Sequence, residues 1–190
     1  MIAAFTFTDG EYRAHIGPEY NVMLQELLEE ILTVLDEPGE LSSFIGAVTG
    51  IEPDREAPGT PSLDMLLPPM SGDPAEAARL RAVTEDLLRS EKSERIRAVL
   101  SVLEALSTRK GDTLKIPEAD AWDWLSVLND IRLVLAGELG IYSDSDAQRV
   151  FVTAKAASSS RSDILSSVYT TITWWQDSLV HAMRYPSKDH

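Results

Sequence analysis

The chain has no cysteine. That excludes disulfides, thiolate nucleophiles, thiolate metal ligands and cysteine redox sensing. Histidine is nearly as scarce: His15, His181 and His190 stand far apart, so a multi-histidine site would need the fold to gather them. Positive charge is short too, with 17 Lys plus Arg against 31 Asp plus Glu and a net charge of −14. Nucleic-acid binding draws much of its affinity from Lys and Arg neutralising phosphates. The balance therefore disfavours a polyanion and suits solubility or a basic protein partner. No apolar run approaches the ~20 residues that span a bilayer. "MIAAFTFTDGEYR" lacks the basic start and long apolar core of a secretory signal, so a cytoplasmic location is the expectation. Glycine-rich phosphate loops, paired zinc-ligand spacings and a nucleophile elbow are all missing. "DSD" at 144–146 has no Gly or bidentate Glu at calcium-loop offsets. No catalytic residue, metal or cofactor is expected, and the chain reads as non-enzymatic.

What is present is helical periodicity behind a short β start. A chain of 190 residues suits a single domain with a real core. Residues 2–16 alternate on both sides of Asp9-Gly10: Phe5 and Phe7 oppose Thr6 and Thr8, and Tyr12, Ala14 and Ile16 oppose Arg13 and His15. Asp-Gly between alternating runs predicts a β-hairpin. Residues 18–36 form an amphipathic helix opened by Pro18, with Tyr20, Met23, Leu24, Leu27, Leu28, Ile31, Val34 and Leu35 on one face and Glu26, Glu29, Glu30 and Thr33 on the other. Residues 37–72 are a Pro-rich connection with one short helix expected in "ELSSFIGAVTG" and a mobile "EPDREAPGTP". Leu63, Met65, Leu66 and Leu67 should pack back on the domain.

At 73–107 Asp73 should cap, with Pro74 at the first helical position and Glu76 returning the contact. The apolar stripe Leu80, Val83, Leu87 moves by about 120° to Ile96, Val99, Leu100, Leu103 and Leu106, which predicts a kink or two helices. "DTLKIP" offers a third strand. Further helices are expected at 117–140, stopped by Gly140, at 145–157 and at 162–184. The fold class is mainly α: a bundle of about five or six helices with a small N-terminal antiparallel hairpin.

Two features depart from simple amphipathicity. In "WLSVLNDIRLVL", Trp124, Leu128, Ile131 and Leu135 share a stripe, and Arg132 lies on its edge. A guanidinium there can snorkel to water or pair with a carboxylate. Helix 73–107 carries Asp86, Glu91 and Glu94, the last two on apolar-stripe positions, so Arg132 is expected to meet an acid of 85–94, with Asn129 one turn away completing the network. The second feature is aromatic. Trp175 belongs to the stripe of Ile164, Leu165, Val168, Ile172, Leu179 and Met183, but Trp174 turns about 100° toward Thr170, Asp177 and His181. An outward tryptophan among polar neighbours is a candidate interface anchor. Trp122, opposite Trp124 on its helix, is another.

"AWDWLSVLNDIRLVLAGELGI", "RLRAVTEDLLRSEKSERIRAVLSVLEAL" and "YTTITWWQDSLVHAM" together resemble an actinobacterial family catalogued as a domain of unknown function. Its genes commonly sit near those of the ClpS protease adaptor and of cysteine biosynthesis, and some members are described as oxidative-stress transcriptional regulators. The matching signature positions here would be Trp124, Leu125, Leu128, Asn129, Asp130, Arg132 and Leu133, then Trp174, Gln176 and Leu179. The resemblance implies no catalytic role for them. Thiol sensing does not transfer to a chain without cysteine.

The expectation is a regulatory or adaptor protein working through protein–protein contacts, with a partner in the transcription machinery or a proteolysis adaptor system. The alternative is a direct DNA-binding regulator in which helices 118–139 and 145–157 imitate a helix-turn-helix, with Arg149, Lys155 and Arg161 as its basic residues. An enzyme of unknown class stands third.

Overall fold

A computed structural model describes residues 1–36, 61–109, 111–154 and 161–186. The helix expected within 40–50 and nearly all of "EPDREAPGTP" lie outside the described residues.

The hairpin forms where the Asp-Gly pair puts it. Asp9 at φ 54° and Gly10 at φ 77° supply the two left-handed residues that a type I′ turn needs. Strand β1 (Thr6–Thr8) pairs antiparallel with β2 (Glu11–His15), which pairs on its other edge with β3 (Thr113–Pro117), so β2 is central. The register sets Tyr12 opposite Ile116 and Ala14 opposite Leu114. These four side chains and Ile16 are buried, while Thr6, His15 and Lys115 face out. The hairpin is fastened to the C-terminal helix: the Trp175 indole N–H donates to the Ala3 carbonyl at 3.0 Å, and Phe5 stacks on Trp175 with centroids 4.9 Å apart.

Six α-helices make up most of the remaining described residues. Helix α1 (Pro18–Asp36) buries Leu24, Leu28, Ile31 and Leu35 of its expected apolar face, while Tyr20, Met23 and Leu27 at the edges are half-buried and Val34 is exposed. It also buries Asn21, whose amide donates to the Leu103 carbonyl at 3.1 Å and to Ser107 Oγ at 2.8 Å. Helix α2 (Pro61–Leu66) carries Leu63 and Leu66 into the core, Leu67 follows them, and Met65 is half-buried.

Helix α3 (Pro74–Thr108) runs without a break for 35 residues. Asp73 caps it by accepting from the Ala75 and Glu76 amides. The expected return contact does not form: Glu76 accepts instead from Ser71 Oγ at 2.7 Å, and that hydroxyl takes the Asp73 amide. The first half of α3 also faces opposite to its apolar stripe. Val83 and Leu87 are 67% and 62% exposed, while Arg81 and Glu85 are buried. Glu85 pairs with Arg81 at 3.3 Å and with Arg89 at 2.9 Å. Arg81 donates to the Leu67 carbonyl, and Arg89 to the Val34 and Leu35 carbonyls at the end of α1. A charged ladder that satisfies open backbone carbonyls thus takes the inward face, and the apolar stripe is left outside. Beyond it, Ile96, Val99, Leu100 and Leu103 are buried as expected.

A 3₁₀ turn (Glu118–Asp120) leads into helix α4 (Ala121–Leu139), which ends at Gly140 with φ 64°. Helices α5 (Asp144–Thr153) and α6 (Arg161–Arg184) follow. The central helix α4 packs against α1, α2, α3 and α6. Its tightest approach is at Gly137, where an added Cβ would lie 2.7 Å from Ser62 Cα and 2.8 Å from the Pro61 carbonyl. Backbone atoms cannot swing aside as a flexible side chain can, so α2 is able to cross here only over a glycine. Gly137→Ala should therefore destabilise by ~1–3 kcal/mol through overpacking, although alanine is the better helix former by about 1 kcal/mol. Urea unfolding measures the difference, and a neutral or stabilising result would mean that α2 does not sit against α4 in this way.

Candidate functional site

Helices α4 and α6 lie side by side and leave an open groove of about 480 Å³ along their seam, with the middle of α3 at one edge. Trp122, Leu125, Ser126, Asn129, Asp130 and Arg132 line it from α4, Gln176, Asp177 and Val180 from α6, and Lys92 and Arg95 from α3. Trp122, Leu125, Ser126 and Asn129 fall about one turn apart and share an outward flank of α4, with Asp130 at its α3 edge and Arg132 at its α6 edge.

Arg132 does not meet an acid of 85–94. Among the described residues it has no carboxylate partner. Its Nη1 donates to the Gln176 side-chain carbonyl, and its guanidinium carbon stands 5.9 Å from the centroid of the Tyr169 ring. The Gln176 amide donates in turn to the Leu125 carbonyl at 3.3 Å, which fixes the carbonyl end toward Arg132. Arg132 Nε is buried and finds no acceptor. The reason for the departure is that the slot between α3 and α4 is already filled, with the charges reversed: the acid comes from α4 and the cation from α3. Lys92 Nζ donates to Asp130 Oδ1 at 2.6 Å, and both side chains are largely buried. Arg95, at the rim, pairs with Glu91 at 3.3 Å and with Asp123 at 3.6 Å. Burial pushes the Asp130 carboxyl above the usual carboxylate range, while the bond and charge of Lys92, and the charge of Arg95, pull it part of the way back.

The groove brings together seven sequence-predicted residues: Trp122, Leu125, Asn129, Asp130, Arg132, Gln176 and Asp177. It leaves out the others. Trp124 is core. Glu91 and Glu94 are exposed on α3 despite their stripe positions, because the helix turns that stripe outward. Trp174 is 45% exposed but does not line the groove, and His181 packs its ring against Tyr185 at 5.0 Å. Trp122, 69% exposed, is the aromatic that reaches the groove. Sequence reasoning missed Lys92 and Tyr169. Lys92 lies four residues before buried Ile96, and Tyr169 three before buried Ile172, so both spacings placed a polar group on an inward face.

The would-be DNA-reading helix α5 is poorly equipped for it. Arg149 is bonded to Asp146 at 2.8 Å, Arg161 faces Glu138 at 3.9 Å, and Lys155 lies outside the described residues. The Ser143 hydroxyl, the Tyr142 amide and Arg149 hold the Asp146 carboxyl below its ordinary range, so the first turn of α5 keeps its negative charge. Among the described residues no group of three or more His, Asp or Glu side chains could hold a metal ion, and no helix is long and apolar enough to cross a membrane.

Compared with known proteins, residues 2–183 match the model of the family described as a domain of unknown function, DUF2017. No curated protein and no solved structure matches.

The Lys92–Asp130 pair has a pH signature. The folded chain holds the Asp130 proton more tightly than the ordinary value of 3.8, so the stability from this group is greatest below 3.8 and falls as pH rises through the folded value. Removing Lys92 raises that folded value further. Lys92→Met should therefore cost about 3–5 kcal/mol at pH 7, the usual penalty for a stranded buried charge. The cost should shrink toward pH 4 as Asp130 takes up a proton, and Lys92→Met with Asp130→Leu should recover most of it at pH 7. Urea unfolding at both pH values is the check, and an equal penalty at each would rule out a stranded Asp130.

Proposed function

The chain belongs to the DUF2017 family, and we propose that it is a non-enzymatic regulatory or adaptor protein that works by seating a protein partner in the α4–α6 groove. The carrying observation is that seven residues singled out in the sequence, by type or by the family pattern, converge on one open groove, with an exposed tryptophan at one end and a fixed guanidinium along it. Exposed aromatics beside an organised arginine are the residues that dominate protein–protein binding energy. A shallow, open channel admits a chain segment more readily than it encloses a small substrate.

The resemblance stated above adds the setting. An actinobacterial origin, a gene neighbourhood shared with the ClpS adaptor, and a role in transcriptional or stress regulation belong to this proposal, and the partner would then come from the transcription machinery or a proteolysis system. A chain without cysteine would sense stress through that partner rather than through a thiol.

Photo-crosslinking in cells tests the reading. A benzophenone side chain at position 122 should give discrete heavier adducts, and one at position 83, on the outward stripe of α3, should not. Adducts absent from 122, or equal at both positions, would sink the groove as the docking face. The DNA alternative has its own readout. A duplex library at physiological ionic strength should show no retardation, and retardation abolished by Arg149→Ala would give the function to α5 instead.

A further inference from the structure

Among the described cations, Arg132 is alone in being half-buried while lacking a carboxylate. Arg79, Arg109, Lys115 and Arg184 also lack an ion pair, but they are exposed and water serves them. The partners of Arg132 are neutral: an amide carbonyl and an aromatic face. Such partners orient a guanidinium without cancelling its charge. Its Nε–H is buried out of a docked segment's reach, but Nη2 is not buried and has no partner among the described residues. A partly desolvated charge held in one geometry with spare donors is the arrangement that a carboxylate completes, through paired N–H···O bonds.

The surroundings fit an acidic ligand. The groove lining carries three cations, Lys92, Arg95 and Arg132. Lys92 is spent on Asp130, and Arg95 on Glu91 and Asp123, which leaves Arg132 as the groove cation without a carboxylate. At physiological salt, charges more than ~8 Å away are largely screened, so at close range this guanidinium weighs more than the net charge of −14. The apolar neighbours are Trp122, Leu125 and Val180. Trp122 precedes Arg132 by ten residues, which is about 15 Å along a helix. An extended segment covers that length in four or five residues.

We infer that the groove takes an extended, acidic segment of a partner protein, with an Asp or Glu carboxylate received by Arg132 and a large apolar side chain four or five residues away laid on Trp122. This rests on the protein-binding reading above. It adds the chemistry of the partner and the spacing of its anchors. The carboxylate is assigned to a side chain rather than to a chain end because the groove is open and lets the segment continue past Arg132.

The probe is an array of ten-residue peptides, each holding one Glu and one Leu or Trp four or five positions apart. Twins carry Gln or phosphoserine in place of Glu, or an altered spacing. Wild type should retain Glu peptides about ten to a hundredfold better than Gln twins, the range of one charge-assisted contact. Arg132→Gln should erase that preference, and Arg132→Lys, which keeps the charge but loses the fork, should keep only part of it. Thermal unfolding establishes that each variant is folded. If Arg132→Gln is not, the partial loss in Arg132→Lys decides. Three results overturn the inference: equal retention of Glu and Gln twins by wild type, a preference that survives Arg132→Gln, or stronger retention of phosphoserine twins. Equal retention of the twins combined with loss in Trp122→Ala would remove the role of Arg132 and leave the broader docking reading intact. No retention of any peptide by wild type would also refute the inference, whereas the crosslinks from position 122 judge the docking reading separately.

Discussion

The arrangement of α3 against α4 depends on one buried ion pair, Lys92 with Asp130. Taking both charges out of water costs several kcal/mol per ion, and the attraction between them repays that cost only with good geometry. The 2.6 Å contact returns only part of that cost, since burial still holds the Asp130 carboxyl above its ordinary range, so the worth of the pair lies in specificity more than in stability. A register in which Lys92 missed Asp130 would strand two buried charges. The same logic runs down the first half of α3, where Arg81, Glu85 and Arg89 form an i, i+4, i+8 ladder ending on the carbonyls of Val34, Leu35 and Leu67. With its inward face committed to polar partners, α3 turns Val83 and Leu87 to solvent. Asp36 extends the pattern by accepting from Ser93 and pairing with Arg97.

What could be read from the sequence follows from this. The hairpin, α1 and the end of α4 were legible because their signals are local: Asp9-Gly10 forces a turn, Pro18 opens a helix and Gly140 ends one. The third strand was legible from alternation in "DTLKIP". The orientation of α3 was not, because periodicity counts apolar residues and assumes that they face inward. Near Arg81 and Glu85 the open carbonyls of α1 and α2 outbid Val83 and Leu87, and those carbonyls come from distant parts of the chain. The reading of Arg132 failed in a related way. It recognised that an intrusive charge on α4 needs a partner on α3, but matched the wrong residue: the charge that meets α3 is Asp130, two positions earlier and on a different flank. The groove itself was half legible. Seven of its residues stood out by type, pattern or family resemblance, yet their convergence depends on the packing of α6 against α4, which no local rule supplies.

A division of labour between neighbouring charges results. Asp130 faces α3 and is consumed internally, so the interhelical register does not draw on Arg132. Arg132 faces α6, where Gln176 and Tyr169 hold it without neutralising it. A side chain ordered in advance loses little entropy on binding, and this favours recognition by a rigid helix face over a loop. The unpaired guanidinium also explains how an acidic protein can accept an acidic segment. Long-range repulsion discourages polyanions in general, while one short-range guanidinium admits a single well-placed carboxylate.

That division can be measured at Asp130. Carboxyl ¹³C shifts followed through an acid titration report its protonation in wild type, in Lys92→Met and in Arg132→Gln. The account predicts a wild-type midpoint above the usual carboxylate range, a further rise in Lys92→Met, and no comparable rise in Arg132→Gln. A rise in Arg132→Gln as large as that in Lys92→Met would place Arg132 inside the buried pair, and the claim that it is held in reserve for a partner would be wrong.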